Sequence, residues 1–411
     1  MDGGAPLRLV KSADSAGAPY LVICADELCA ALDGFAALKA AQNYTVQLLP
    51  LSQIGADPQP AQIKASIQTI YAASGLSALL LVGSADLLPA GENSEGTFLT
   101  DLYYAALDGS TDYQANLPYG RLPADTPAEV AAYIARLRAY QQAPAELLDL
   151  TRAALIAGQN GADWAAWEGA LDDAGNRLTG AGYTISALYA HRDGAQGADV
   201  LSELEQNPAG MIYAGPGQIS GWTDPVLSAA QIAAAEQGST AFVLSLADYT
   251  AALAEPAAFA RQWVLNDSAG ALTYIGAASA SVWTNQDSLL LEFFTQALTE
   301  TENGAPRQAT LGAVWQETLR LFNESVLSVP VRRAAAELYQ LYGDPTLPNP
   351  FSLWKTPFEM QADPQRVSVC RGQSAALTVQ LTTFSPGAAA SFSLSGLPAG
   401  VQAQFSPAQV N

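Results

Sequence analysis

The chain has 411 residues, 49% of them hydrophobic and 14% charged, a balance that gives an ordered globular protein of more than one structural unit. Thirty-nine acidic against 18 basic residues leave a formal net charge of −21. That argues against a nucleic-acid or anionic-membrane partner, since neutralising phosphates takes clustered Lys and Arg. Three cysteines and one histidine leave no Cys/His zinc spacing, so no metal is assigned on that basis.

The start, MDGGAPLRLV, has neither the basic n-region nor the apolar h-region of a secretion signal. Along residues 1–150, PYLVICA (19–25), YTVQLLPL (44–51) and LSALLLVG (76–83) are continuous apolar runs. Continuous hydrophobicity predicts parallel strands buried on both faces, and none is long enough to span a bilayer. Between them, residues 60–74 place Ile63, Ile67, Ile70 and Tyr71 on one helical face. A second helix starts after Thr126, with Pro127 at its first position, Glu129 to close a capping box and Val130, Ile134 and Leu137 as the core stripe.

The strand–helix alternation restarts over 151–352. Strands are predicted at 152–158, 183–190, 210–215, 240–246 and 271–277, followed by helical stretches around 289–300 and 310–326. Two sets of βα units predict a doubly wound α/β fold in two halves meeting near residue 150. After GDPTLPNPF (343–351) the period changes to two, with Gly, Pro and Ser between short runs. Residues 353–411 therefore read as part of a β-sandwich, shorter than the roughly 100 residues of a complete immunoglobulin-like domain. Its unpaired strand edges make cleavage between about 350 and 365 the first expected from a protease.

The stretch IYAGPGQISGW (212–222) stops an apolar strand in Gly-Pro-Gly, a rim at which α/β sheets place their sites. With TDLYYAALDG, LPYGRLPADT, FVLSLADYT, YIGAASASVW, TLGAVWQET and LYQLYGDPTL in the same order, the chain over residues 18–349 resembles the gingipain-type cysteine peptidases. These share the caspase-like fold. The resemblance implies two α/β halves with the site on the second, a following immunoglobulin-like module, and an extracellular or cell-surface bacterial setting within a longer parent chain. It also implies a Cys–His dyad, the histidine in a Tyr-x-Gly-His-Gly motif after one strand and the cysteine after the next.

Mapped onto this chain, the histidine position is Pro216 and the cysteine position Asp248, with Ala247 as the neighbouring register. Proline transfers no proton, and an ionised carboxylate is a poor nucleophile toward an amide. No catalytic residue is assigned, and the expected function is a pseudopeptidase acting as a binding or scaffold module for a protein or peptide ligand. Two alternatives stand beside it: an active cysteine-type endopeptidase relative using unmapped residues, and a structural segment of a large cell-surface protein. Tyr213, Gly215, Gly217, Ala247 and Trp283 are the expected pocket residues, Trp283 equally as a core tryptophan. Asp248 is either a turn cap or a carboxylate in a concave cleft that meets a cation. Asp101, Asp108 and Asp112 have ligand chemistry suited to calcium, the one cofactor considered, or form a solvated acidic turn.

His191, on a charged turn, reads as a solvated loop residue rather than a substitute base. Cys24 reads as a buried thiol, because a bridge to Cys29 across a strand-to-helix turn needs unusual geometry. Cys370 reads as a buried small hydrophobe. Ser245 and Ser281 have no histidine that spacing would bring near.

Overall fold

The computed structural model describes residues 17–355, apart from 110–111, 160–162, 281–284 and 303–304, and short strands beyond residue 357. Ten strands form one mixed sheet. In chain order they are β1 (Ala18–Cys24), β2 (Tyr44–Pro50), β3 (Ala78–Val82), β4 (Tyr119–Leu122) and β5 (Asp149–Ala157). Then follow β6 (Thr184–Tyr189), β7 (Pro208–Ala214), β8 (Ser239–Leu246), β9 (Gly270–Ala277) and β10 (Tyr339–Gly343). The spatial order is β2-β1-β3-β4-β10-β9-β8-β7-β5-β6.

Strands β1–β4 are mutually parallel and so are β5–β9, as the continuous apolar runs predicted for all of these but β4. The halves join at β10, which runs parallel to β4 and antiparallel to β9. The carboxyl ends of β5–β9 therefore leave one margin of the sheet, and those of β1–β4 and β10 the other. Both β4 and β10 escape a reading of apolar runs, because Arg121 and Gln340 interrupt them. Each of these polar side chains is buried with partners supplied by distant segments. Arg121 forms two hydrogen bonds to Asp101, of 2.7 and 2.8 Å. Gln340 accepts from the Asp101 N–H and donates to the Thr100 hydroxyl.

The strand β2 departs from expectation. Its apolar run suggested burial on both faces, yet it lies at the sheet margin with Leu48 39% exposed. The helix Pro127–Gln142 begins as expected, the Thr126 hydroxyl accepting from the Glu129 N–H and Glu129 accepting from the Thr126 N–H. Ile63 and Ile67 of helix Pro60–Ser74 are fully buried, with Ile70 and Tyr71 packed at the rim of the core.

A buried ion pair ties the two ends of the domain together. Lys39 Nζ meets Asp344 Oδ2, both side chains without solvent exposure. The other oxygen of Asp344 accepts from the Tyr20 hydroxyl at 2.8 Å and from Thr346, while the Tyr133 hydroxyl accepts from the Asp344 N–H. Phe358–Asp363 pairs antiparallel with Thr378–Thr383. Most of the expected 353–411 sandwich, including Cys370, lies outside the described residues.

Candidate functional site

Strands β7 and β8 are parallel neighbours, with Ala214 opposite Leu246 and Tyr213 opposite Ser245. The chain leaves β7 through Gly215-Pro216-Gly217 and leaves β8 through Ala247-Asp248-Tyr249, so the two mapped positions emerge side by side. Gly217 comes so close that a Cβ placed there would lie 2.8 Å from both the Ala247 Cβ and the Asp248 carbonyl oxygen. A side chain at 217 would push the two strand ends apart, which is the reason for a glycine here. On the other flank, a Cβ on Gly158 at the end of β5 would lie 2.8 Å from the Pro216 ring.

The turn is held from below. The Tyr213 hydroxyl lies 2.8 Å from the Asp224 carbonyl and 2.9 Å from the Pro216 carbonyl. Its ring stacks on Trp222 at 4.2 Å. Trp222 in turn donates from Nε1 to the Ser245 hydroxyl at 2.9 Å, and Ser245 lies 3.3 Å from the Thr250 hydroxyl. Burial, reinforced by the Asp224 charge, pushes the Tyr213 phenol well above its ordinary range, so it stays a protonated donor. Gln159 adds an N–H to the Asp224 carboxylate at 2.7 Å.

Past β8, Asp248 is half-buried and Tyr249 adopts a left-handed conformation with φ of 57°. A non-glycine residue in that region is strained, and such strain gathers at functional turns. The Tyr249 N–H donates to the Ser279 carbonyl at 3.1 Å, and the Ala251 N–H donates to Ala277 at 2.9 Å. The segment after β8 is thereby stitched to the end of β9.

The Peptidase family C25 model matches residues 13–350, most of the chain. The chain belongs to Peptidase family C25. A comparison with curated proteins finds no match. Among solved structures, the chain is similar to gingipain R, an Arg-specific cysteine proteinase, at 16% identity over 86% of this chain and 82% of that one, with a TM-score of 0.72. It is likewise similar to the complex of RgpB pro- and mature domains from Porphyromonas gingivalis (17% identity, 84% and 82% covered, TM-score 0.73). A structure described as a protease matches at 20% identity over 81% and 78%, with a TM-score of 0.69. At these identities the likeness shows the fold, which is the caspase-like α/β architecture with its two halves.

Within this C25 domain the structure brings Pro216, Gly217, Ala247 and Asp248 together. Tyr213, near the end of β7, and Ala247, just past the end of β8, are buried, Tyr213 completely, because both strands lie inside the sheet. Their part is to support the rim. Trp222, which closes the stretch 212–222 but was given no role from sequence, does the same from the hairpin that follows Gly-Pro-Gly. Trp283 and Ser281 lie outside the described residues.

The other candidates scatter. Asp101 is not available to calcium with Asp108 and Asp112: its carboxylate is buried and bound to the guanidinium of Arg121, which also donates to the Gly83 and Leu88 carbonyls. Asp108 and Asp112 serve their own turn. Asp112 accepts from the Gln114 and Asp108 N–H groups, and Asp108 from the Asn116 amide. No group of three or more His, Cys, Asp or Glu residues suited to a metal occurs among the described residues.

Cys24 is not a free thiol. It is bonded to Cys29, because the single turn Asp26–Cys29 folds back over the end of β1 and brings the two Cα atoms within 5.4 Å. This bridge stands six strands from β7, about 29 Å at ordinary strand spacing, and on the opposite margin. His191 follows β6, stacked on Trp164 and exposed. It is three strands from β8, about 14 Å, and beyond hydrogen-bond reach of position 248. No described helix is long and apolar enough to cross a membrane.

Proposed function

We propose that this C25 member is a pseudopeptidase, a catalytically inactive domain that acts as a binding or scaffold module outside the cell. The observation that carries the reading is the occupancy of the two facing strand ends. On the mapping taken from the family resemblance, Pro216 falls at the proton acceptor's position and Asp248 at the thiolate's, in a frame held by Gly217, Tyr213 and Trp222. A proline and a carboxylate support no nucleophilic attack on an amide. The strand-end rim remains a place where a peptide or protein segment would dock.

A cysteine peptidase working through other described residues would need a Cys–His pair among them. The only histidine, His191, is eight strands from the Cys24–Cys29 bridge, about 38 Å across the sheet. The bridge also supports an extracytoplasmic setting, since disulfides persist in oxidising compartments.

The test is a fluorogenic peptide library assayed with the purified protein, alongside iodoacetamide labelling without reductant. No turnover is expected, and no alkylation of Cys24 or Cys29. Hydrolysis that disappears on alkylation, or in a His191→Gln variant, would establish an active enzyme and overturn the reading.

A further inference from the structure

We propose that His191, the only histidine of the chain, is an acid-tightened clamp between the turn after β6 and the first turns of helix Trp164–Ala181. The imidazole stacks on the Trp164 indole with ring centres 3.5 Å apart and planes 19° from parallel. Its Nδ1 lies 3.7 Å from Oε1 of Glu168, one helical turn further along. Glu168 is buried, so its carboxylate is poorly solvated and depends on the charges the protein supplies.

Those charges come from the same short turn, Ala190–Asp193. Arg192 gives Glu168 its N–H at 3.1 Å and its guanidinium at 3.4 Å, while it also holds Asp172 through two hydrogen bonds of 2.7 and 3.0 Å. The guanidinium is thus shared between two carboxylates and lies over the Tyr189 ring. The imidazole meets Trp164 and Glu168 of the helix, while Asp172 of the helix and Tyr189 of β6 hold the neighbouring Arg192, and Asp193 ends the same turn. Asp163 precedes the helix.

Imidazole is the side chain whose ordinary titration falls between pH 5 and 8. A proton on His191 creates two attractions absent from the neutral ring: an ion pair with the buried Glu168, and a cation over the Trp164 face. Both act between the same two elements, so protonation draws the turn onto the helix. The clamp sits on the segment that continues from Gln159, whose N–H holds Asp224 under the Pro216 turn.

Hydrogen exchange of the intact protein tests this, with peptides covering 164–170 and 189–194 compared at pH 7.5 and 5.5 after correction for intrinsic rates. Protection is expected to rise roughly two- to five-fold at pH 5.5, the range given by a modest exposed ion pair and cation–π contact. The rise should vanish in His191→Gln, which alters an exposed side chain, and shrink in Glu168→Gln. An unchanged protection in the native protein, a rise that survives in His191→Gln, or one undiminished in Glu168→Gln would each overturn the clamp.

Discussion

Pro216 and Asp248, the positions proposed to correspond to a Cys–His dyad, leave two neighbouring parallel strands side by side. Because Gly217 lies against the Asp248 carbonyl, groups at 216 and 248 share one rim. Pro216→His with Asp248→Cys is therefore expected to raise thiol reactivity several-fold over Asp248→Cys alone, with little peptide turnover, since transition-state positioning demands more than adjacency. Equal alkylation rates for both variants across pH 5–9 would show that the two side chains do not face each other. Lys39 makes a different residue-scale prediction. Burial lowers its pKa, opposed by the Asp344 charge, so the pair is held by geometry against desolvation. Lys39→Met leaves Asp344 charged in a dry site and is expected to cost about 3–5 kcal/mol in urea unfolding. A loss below 1 kcal/mol would mean that water reaches Asp344.

Elements whose signals are local were legible, and those whose signals are distant were not. Helix Pro127–Gln142 was readable from Thr126, Pro127 and Glu129 because a capping box is completed within four residues. Thr126→Ala is expected to cost about 1 kcal/mol, measured by thermal or chemical unfolding. No change would mean that tertiary packing alone sets the start of that helix. The strands β4 and β10 could not be read in the same way. Arg121 and Gln340 are tolerable inside a sheet only because Asp101, Thr100 and the Gly83 and Leu88 carbonyls reach them from elsewhere. The Cys24–Cys29 bridge escaped for a related reason: the single turn that closes the gap is set by packing of Leu28 into the core.

For the whole molecule, insertion of β10 between β4 and β9 makes the two halves one sheet, so residues 17–355 are expected to unfold in a single calorimetric transition. Two resolved transitions separable by a cut near residue 150 would show that the halves are independent. Acid should destabilise this unit. The Arg192 hydrogen bonds lower the Asp172 pKa, and those of Arg320 lower that of Glu317. A depressed carboxylate contributes stability above its unfolded value, about 4, and loses it as pH falls through the folded value. The midpoint temperature is expected to hold from pH 7 to 5 and to fall below pH 4. A midpoint that climbs steadily down to pH 3 would instead assign control to relief of the −21 charge. Sequence by itself determined the parallel strands, the helix starts and the Gly-Pro-Gly turn, because apolar periodicity, caps and glycine act within a few residues. Only the tertiary structure decided that β2 is a margin, that Asp101 serves Arg121, that Cys24 is bridged, and that Tyr213 and Trp222 carry the rim from beneath. Each of those depends on how segments pack in three dimensions, even where the partner is only five residues away as in Cys24–Cys29, and no apolar period or cap records that packing.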